Sequence, residues 1–408
     1  MMRLLVSPRL LAIALLLSLT PVLPAQLAIR GGVVHPVSGP PIEDAVILVR
    51  DGKIAAIGPA ASVEIPAGFR VLRAAVVTPG LVDAHSVVGL AGILNRNQDQ
   101  EQLDRSAPVQ PELRALDAYN PRERLVRWLL EHGVTTVHTG NAPGALVSGQ
   151  SMVAKTRAEA VDVVALRPSA MVLATLGDGA REGGGKSPGT RAKMAALLRT
   201  ELLRAKDYAA KRAAEDESKR PARDLKMEAL AEVVTRKRRL LVTAHRDRDI
   251  LTALRIAKEF GLDIVLDGAS EIGLVLEEVK AAGIPVILHP PMARTSGEAE
   301  NASFGTAAAL AKAGVRFSFQ SGYESYVPKT RVVLFEAAIA AAHGLDRGAA
   351  LRAITLDAAR ICGVDDRVGS LEVGKDADLV LFDGDPFEYL SHVVGVVVDG
   401  RVESEVRR

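Results

Sequence analysis

Four of the eight histidines in this 408-residue chain follow directly after strand-like segments. They are His85, His138, His245 and His289, which come after TPGLVDA, VTTV, LLVTA and PVIL. Imidazole nitrogens bind divalent cations and transfer protons near neutral pH. A single such histidine is more often a hydrogen-bonded structural residue, whereas four at strand ends favour a site. The spacing therefore predicts a pocket at one edge of the fold whose chemistry depends on imidazole.

The segments that carry these histidines alternate with helix-like runs over residues 78–365. Such alternation is typical of parallel βαβ units, in which the carboxyl ends of the strands meet at one edge. The sequence predicts an α/β fold, with a closed (β/α)8 barrel of the TIM type favoured over an open sheet. One unit departs from the ideal pattern, because AVDVVALRP and SAMVLATLG follow each other without room for a crossover helix.

Both ends of the chain have β character. Residues 26–77 and 366–408 consist of short apolar runs, rich in β-branched residues and separated by turns. The dipeptides Asp51-Gly52 and Asp399-Gly400 are typical of tight hairpins. Short hairpins are marginally stable alone, so we expect the two ends to join in one composite β-sandwich beside the barrel.

The first 25 residues predict a secretory signal peptide. Arg3 and Arg9 precede an apolar run at 10–19, which is shorter than the roughly 20 residues of a membrane-spanning helix. An uncleaved anchor is the alternative. We expect export, to the periplasm or the medium, and no stable membrane span after cleavage of the signal.

Composition and charge exclude several classes of function. The chain is 48% apolar with one cysteine, and its 51 basic and 49 acidic residues leave a net charge of +2, so neither disorder nor a disulfide scaffold fits. Segment 191–239 holds 15 basic and 8 acidic residues but only one aromatic, Tyr208, so nucleic acid is not an expected partner. We predict a helical insertion there, either a solvated face or a lid. The same helices can form a subunit contact in a homo-oligomer.

Three motifs resemble the amidohydrolase superfamily, in its imidazolonepropionase-like and dihydroorotase-like branch. They are TPGLVDAHSVVG at 78–89, LVTAH at 241–245 and GSLEVGKDADLVLFDGDP at 369–386. The resemblance covers nearly all of the chain after the signal. It implies a metal-bearing barrel with a composite β-sandwich built from both chain ends.

The resemblance also implies a set of metal ligands, of which this sequence keeps a part. His85 matches the first ligand and His245 the ligand of the fifth strand, while Asp267 stands at the position of the sixth-strand histidine. The second position of the His-x-His motif is Val87, and the eighth-strand aspartate is replaced by Gly322. The expected cofactor is one divalent cation, zinc, held by His85, His245 and Asp267, which would activate a water molecule.

Further side chains are assigned to the same pocket. The candidates for proton transfer are Asp267, His289 and Glu324, because the aspartate that serves as general base in the superfamily is missing. The candidates for the pocket wall are His138, Gln150 and Asp178. Each also has a structural interpretation, as a turn former, a loop charge or a hydrogen-bonding partner. The polar segment 97–121 is expected to form a long loop over the barrel mouth.

Two hypotheses about function follow. The first is an exported hydrolase that acts on carbon-nitrogen bonds other than ordinary peptide bonds, with a small-molecule substrate. The second is a barrel that has lost catalysis and serves as a binding or scaffold protein, since neither Val87 nor Gly322 can supply the ligand expected at its position. Metal content and turnover distinguish them.

Overall fold

The computed structural model describes residues 26–94, 96–323 and 332–408, which form a mixed α/β architecture. The signal peptide predicted at 1–25 and the candidate Glu324 lie outside these residues. The strands are β1 (Leu27–Val34), β2 (Ile42–Arg50), β3 (Lys53–Pro59), β4 (Arg70–Pro79), β5 (Leu81–Ser86), β6 (Val134–Thr139), β7 (Val147–Gln150), β8 (Met152–Lys155), β9 (Ala165–Arg167), β10 (Met171–Thr175), β11 (Arg239–Ala244), β12 (Ile264–Gly268), β13 (Val286–Leu288), β14 (Phe317–Phe319), β15 (Leu379–Phe382), β16 (Val393–Val398) and β17 (Arg401–Ser404). The helices are α1 (Ala115–Ala118), α2 (Arg124–Glu131), α3 (Val161–Val164), α4 (Arg191–Arg212), α5 (Leu225–Val234), α6 (Asp247–Phe260), α7 (Leu276–Ala282), α8 (Thr306–Ala313), α9 (Val333–Ala342), α10 (Arg347–Ala353) and α11 (Leu356–Cys362).

Both ends of the chain enter one seven-stranded sheet, in the order β17-β16-β15-β4-β1-β2-β3. Tight turns form at both predicted dipeptides, where φ is 51° and 76° at Asp51 and Gly52 and 48° and 71° at Asp399 and Gly400. Positive φ at both central positions suits a type I′ hairpin, whose twist matches that of the flanking strands. The two ends therefore join as predicted. They do so in a single sheet, however, and a sandwich of two packed layers is not confirmed.

The middle of the chain forms two further sheets. One has the order β14-β13-β12-β11-β10-β7 and the other the order β5-β6-β8-β9. The strands β10 to β14 run parallel, as do β5 and β6, whereas β7, β8 and β9 pair antiparallel with their neighbours. The run AVDVVALRP forms α3 and the edge strand β9, which explains why no crossover helix follows it. The described strands thus confirm an α/β fold with parallel units, but they do not form one closed ladder.

The two middle sheets meet at the edge where the predicted site residues lie. Ser86 at the end of β5 forms a parallel bridge with Gly322, just after β14. The Asp83 carboxylate accepts a hydrogen bond of 3.0 Å from the backbone N–H of Ser321, and Ser151 N donates to the Met171 carbonyl at 2.9 Å. The first two contacts place the carboxyl end of β5 beside that of β14, and the third joins the other sides of the two sheets, near β8 and β10.

The helices of segment 191–239 are α4 and α5, and they pack against each other and into the main core. Their buried apolar side chains include Met194, Leu198, Leu202 and Leu230, which belong to the same cluster as the β10 to β12 strands. The basic residues lie on the remaining faces, as expected for an amphipathic insertion. In the part of the chain that the structure describes, every helix is too short or too polar to cross a lipid bilayer.

A buried ion cluster attaches the terminal sheet to the middle of the fold. Lys155, at the end of β8, donates from Nζ to Asp376 at 2.8 Å, to Asp378 at 3.0 Å and to Asp399 at 2.5 Å. Its side chain is only 2% exposed. Burial would lower the pKa of Lys155, but the three carboxylates outweigh it, so the pKa lies above its usual value. A buried ammonium of this kind is tolerated because it is fully paired.

Candidate active site

One cavity of about 370 Å³ lies at the carboxyl ends of the parallel strands. Its polar wall is formed by His85, Thr243, His245, Asp267, His289 and Gln320. These side chains follow β5, β11, β12, β13 and β14 or stand in their last residues. Because side chains alternate along a strand, residues two apart such as Thr243 and His245 point to the same face. The cavity thus brings together His85, His245, Asp267 and His289, as the sequence predicts.

At the centre of this wall, His85 is paired with Asp267. The Nδ1 of His85 lies 2.9 Å from Oδ1 of Asp267. Thr243 Oγ1 donates to Oδ2 of the same carboxylate at 2.6 Å, and Gln320 Nε2 donates to Oδ1 at 2.7 Å. All four side chains are buried. The carboxylate can only accept, so His85 Nδ1 carries the hydrogen and Nε2 is the nitrogen left for a ligand.

The pairing changes the pKa of both groups. Burial lowers the pKa of His85, but the charge and hydrogen bond of Asp267 outweigh it, so the pKa lies above the usual value. Burial raises the pKa of Asp267, but the contacts with His85 and Thr243 bring it below the usual value. Asp83, two residues before His85, is bonded to no cationic side chain among the described residues, and burial raises its pKa to about 7.

Each of the other two histidines of the cavity has one hydrogen-bonded ring nitrogen. His245 Nδ1 lies 2.7 Å from Ser270 Oγ, and its ring packs against Gly268, where an added Cβ would stand 2.7 Å from the ring. His289 Nδ1 donates to the Pro290 carbonyl at 3.0 Å, which leaves the lone pair on Nε2. Burial lowers the pKa of His289 to about 4. His289 is therefore neutral at pH 7.

Two imidazole nitrogens at the cavity wall have no hydrogen-bond partner within the described residues. They are Nε2 of His85 and Nε2 of His289, and both atoms are buried. Buried polar atoms in native proteins are nearly always paired, and an unpaired one calls for a missing water, ion or ligand. The two nitrogens are therefore the strongest indication of where a ligand binds.

A loop that follows β13 covers one side of the cavity. Ala293, Arg294, Ser296 and Ala299 in this loop line the wall. The loop is held by Glu298, whose carboxylate accepts from the backbone N–H groups of residues 178 and 179 at 2.7 and 3.0 Å. The sequence predicts the covering loop at 97–121 instead. That segment supports the wall from outside, through a 3.4 Å hydrogen bond from residue 102 to the Tyr323 hydroxyl and through Leu103, which packs in one apolar cluster with Val87 and Tyr323.

The structure does not bring the three predicted wall residues into this cavity. His138 contacts the Ala84 carbonyl and Ser151 Oγ at 2.6 Å each, so both of its nitrogens are used. Gln150 donates to the Pro111 carbonyl and accepts from two side chains, and Asp178 pairs with two arginines on the surface. Their polar atoms contact other groups, and the three residues lie outside the lining of this cavity. Glu324, a predicted proton carrier, is outside the described residues.

Buried neutral histidines predict acid sensitivity. Burial lowers the pKa of both His138 and His289 to about 4, while the unfolded chain protonates near the usual 6.5. The unfolded state binds the extra protons, so the free energy of unfolding should fall as pH drops from 6.5 to 4, by up to about 1.4 kcal/mol per pH unit for each histidine. Urea unfolding at several pH values measures this. His138→Gln should flatten the dependence, whereas His392→Gln should not, and equal slopes in all three proteins would contradict the assignment.

Several residues of the site have no motif that would reveal them in the sequence. Thr243 and Gln320 hold Asp267, and Ser270 holds His245. Strand alternation could have indicated Thr243, because it stands two residues before His245 on the same strand. Gln320 and Ser270 approach through tertiary contacts that a single sequence does not indicate.

Comparison with known proteins identifies the family. The model of the amidohydrolase family matches residues 76–404. The crystal structure of an amidohydrolase from Thermotoga maritima MSB8 is 30% identical, with a TM-score of 0.87 over 94% of this chain and 100% of that chain. The chain therefore belongs to the amidohydrolase family, whose members are generally metal-dependent hydrolases. The branch within the superfamily stays a prediction.

More distant structures share the fold. An adenosine deaminase from Xanthomonas campestris with bound zinc is 18% identical, with a TM-score of 0.55 over 94% of each chain. A putative prolidase from Bifidobacterium longum is 19% identical, with a TM-score of 0.57 over 94% of this chain and 95% of that one. No curated protein matches the chain significantly.

The donor set of this chain does not fit the metal that the family usually binds. Within the described residues, no three His, Cys, Asp or Glu side chains are grouped so that they could hold an ion. His85, His245 and Asp267 share the cavity, but Asp267 already accepts three hydrogen bonds from protein donors, which leaves chiefly the Nε2 atoms of His85 and His245 from this set for an ion. Catalytic zinc sites use three protein ligands with one open position. The predicted three-ligand zinc site is therefore not assembled.

Proposed function

We propose that the protein is an exported hydrolase that cleaves carbon-nitrogen bonds, other than ordinary peptide bonds, in small molecules. Family membership supports hydrolysis. The observation that carries the proposal is the His85–Asp267 pair, which stands with His289 in one cavity and leaves two imidazole nitrogens unpaired. A cavity of about 370 Å³ falls within the range of small-molecule pockets.

The proposed reaction uses His85 to transfer a proton. A water molecule gives its proton to Nε2 of His85 while its oxygen forms a bond to the carbonyl-type carbon of the substrate. Asp267 holds Nδ1 as the N–H donor, which fixes the tautomer and keeps the lone pair on Nε2. When the carbon-nitrogen bond breaks, His85 returns the proton to the leaving nitrogen. The products are an amine and a carboxylic acid.

His289 and the covering loop have supporting roles in this proposal. Since His289 is neutral and its Nδ1 is bonded to Pro290, its Nε2 can accept a hydrogen bond from the attacking water or from a substrate N–H. The loop carrying Ser296 and Ala299 limits access of bulk water to the cavity. Exclusion of water strengthens the electrostatic effect of Asp267 on His85.

We further propose that the two middle sheets are arcs of one barrel, as in the family. The Ser86–Gly322 bridge supports this, because it joins the first strand of one sheet to the last strand of the other. Export is proposed from residues 1–25 alone. N-terminal sequencing of protein recovered from the periplasm or medium tests it, and an intact Met1 on that protein would contradict cleavage.

Turnover on a substrate panel tests the function. The full-length protein is incubated with lactams, other cyclic amides, N-acyl amino acids and dipeptides, and the released amine is measured. We expect hydrolysis of at least one non-peptide amide, with the dipeptide controls turned over less well. Saturable binding of several panel compounds without product from any would favour the binding or scaffold alternative.

A further inference from the structure

Three protein donors hold the Asp267 carboxylate. Its carboxylate accepts from His85, Gln320 and Thr243 at 2.9, 2.7 and 2.6 Å, and the residue is 1% exposed. Both lone pairs of Oδ1 are used, so a cation that binds Oδ1, alone or together with Oδ2, would have to displace at least one of these donors. Each displaced donor would then be buried without a partner, which costs about 1–3 kcal/mol.

The two positions that differ from the superfamily pattern are adapted to other contacts. Val87 packs in a small apolar cluster with Ala91 and Ala142. Gly322 has φ of 73°, in the left-handed region that favours glycine, and it bridges to Ser86. Glycine adopts this conformation without the steric cost that a Cβ brings. Both positions therefore serve packing and backbone geometry.

What remains for an ion is imidazole nitrogens alone, Nε2 of His85, His245 and His289, without a free carboxylate among the described wall residues. Among the described His, Cys, Asp and Glu side chains, no three are grouped so that they could hold one ion. We propose that this site holds no resident divalent cation, and that Asp267 acts as a positioning residue that orients His85 for the ligand. The role of His85 in turnover rests on the proposed function. The cation-free site stands on the contacts alone.

Metal content tests the first part of the proposal, that the site holds no resident divalent cation. The full-length protein is produced in zinc-supplemented medium, purified without chelator and analysed for metals, together with His85→Gln and, as a matched control, His392→Gln. We expect zinc well below one ion per chain in the wild type and no difference among the three proteins. One zinc per chain in the wild type and His392→Gln, lost in His85→Gln, would overturn the proposal.

The protonation of the His85 imidazole tests the second part of the proposal, the positioning role of Asp267. Nitrogen-15 spectra of histidine-labelled protein should show His85 with a protonated, hydrogen-bonded Nδ1, assigned by its loss in His85→Gln. Asp267→Asn removes one acceptor oxygen and should shift these signals, while Asp263→Asn, just before the same strand, should leave them unchanged. Unchanged His85 signals in Asp267→Asn would overturn the positioning role. Neither readout needs turnover, so a substrate panel without product would defeat the proposed function and leave this inference standing.

Discussion

Lys155→Met is expected to lower the free energy of unfolding by about 3–5 kcal/mol, because it leaves buried carboxylates without their cation. Asp376 keeps Lys53 and Arg367 as partners, and Asp399 keeps Arg157. Asp378 keeps only the backbone N–H of residue 399, at 2.9 Å. Most of the loss should therefore come from Asp378, which is measured as the urea dependence of unfolding.

Two further variants make this prediction specific. Lys53→Met removes a half-exposed partner of the same cluster and should cost no more than about 1 kcal/mol, as surface ion pairs do. The double variant Lys155→Met/Asp378→Asn should recover part of the lost free energy of unfolding, because the uncompensated charge of Asp378 is removed. If Lys155→Met alone does not fold, the double variant can be measured in its place. Equal costs for Lys155→Met and Lys53→Met would contradict the structural role of the cluster.

His85→Gln is expected to lower kcat/KM on any substrate found by about 10²–10⁴-fold, the usual contribution of a proton-transferring side chain. Glutamine can still donate a hydrogen bond toward Asp267, so the fold and the wall should be preserved. The loss should appear in kcat rather than in KM, since the proton moves only during the reaction. Initial rates over a range of substrate concentration measure both constants.

The control for this prediction is His392→Gln. His392 is partly exposed, pairs with Asp383 near the C-terminal strand β16 and does not line the cavity. Its kinetic constants should equal those of the wild type. Wild-type turnover by His85→Gln, with the control also unchanged, would remove His85 from the mechanism.

Much of the site's location could be predicted from the sequence. The motif ending at His85, the strand before His245 and the strand before His289 indicated which side chains meet, because carboxyl ends of parallel strands share an edge. Hairpin dipeptides likewise predicted the turns that bring both chain ends into one sheet. These signals depend only on residues that are close together in the chain, and the structure contains the strand ends and turns that they predict.

The hydrogen-bond partners of each side chain could not be predicted in the same way. The position of Asp267 in the sequence predicts a metal ligand. Its hydrogen-bond partners Thr243, Gln320 and His85 lie 24, 53 and 182 residues away in the chain, so the sequence around Asp267 does not indicate them. The donor atoms that reach a carboxylate depend on strand register and on side-chain rotamers. A single sequence specifies neither. His138 was likewise placed at the wall by its strand end, whereas two hydrogen bonds of 2.6 Å hold it in the core.

Turnover by protein that has been stripped of metal tests the central claim most directly. The substrate identified in the panel is assayed with wild-type protein before and after dialysis against a chelator, with metal content measured on the same samples. We predict an unchanged kcat/KM in the stripped protein and its loss in His85→Gln. Activity that falls with the removed metal and returns on addition of zinc would contradict the account.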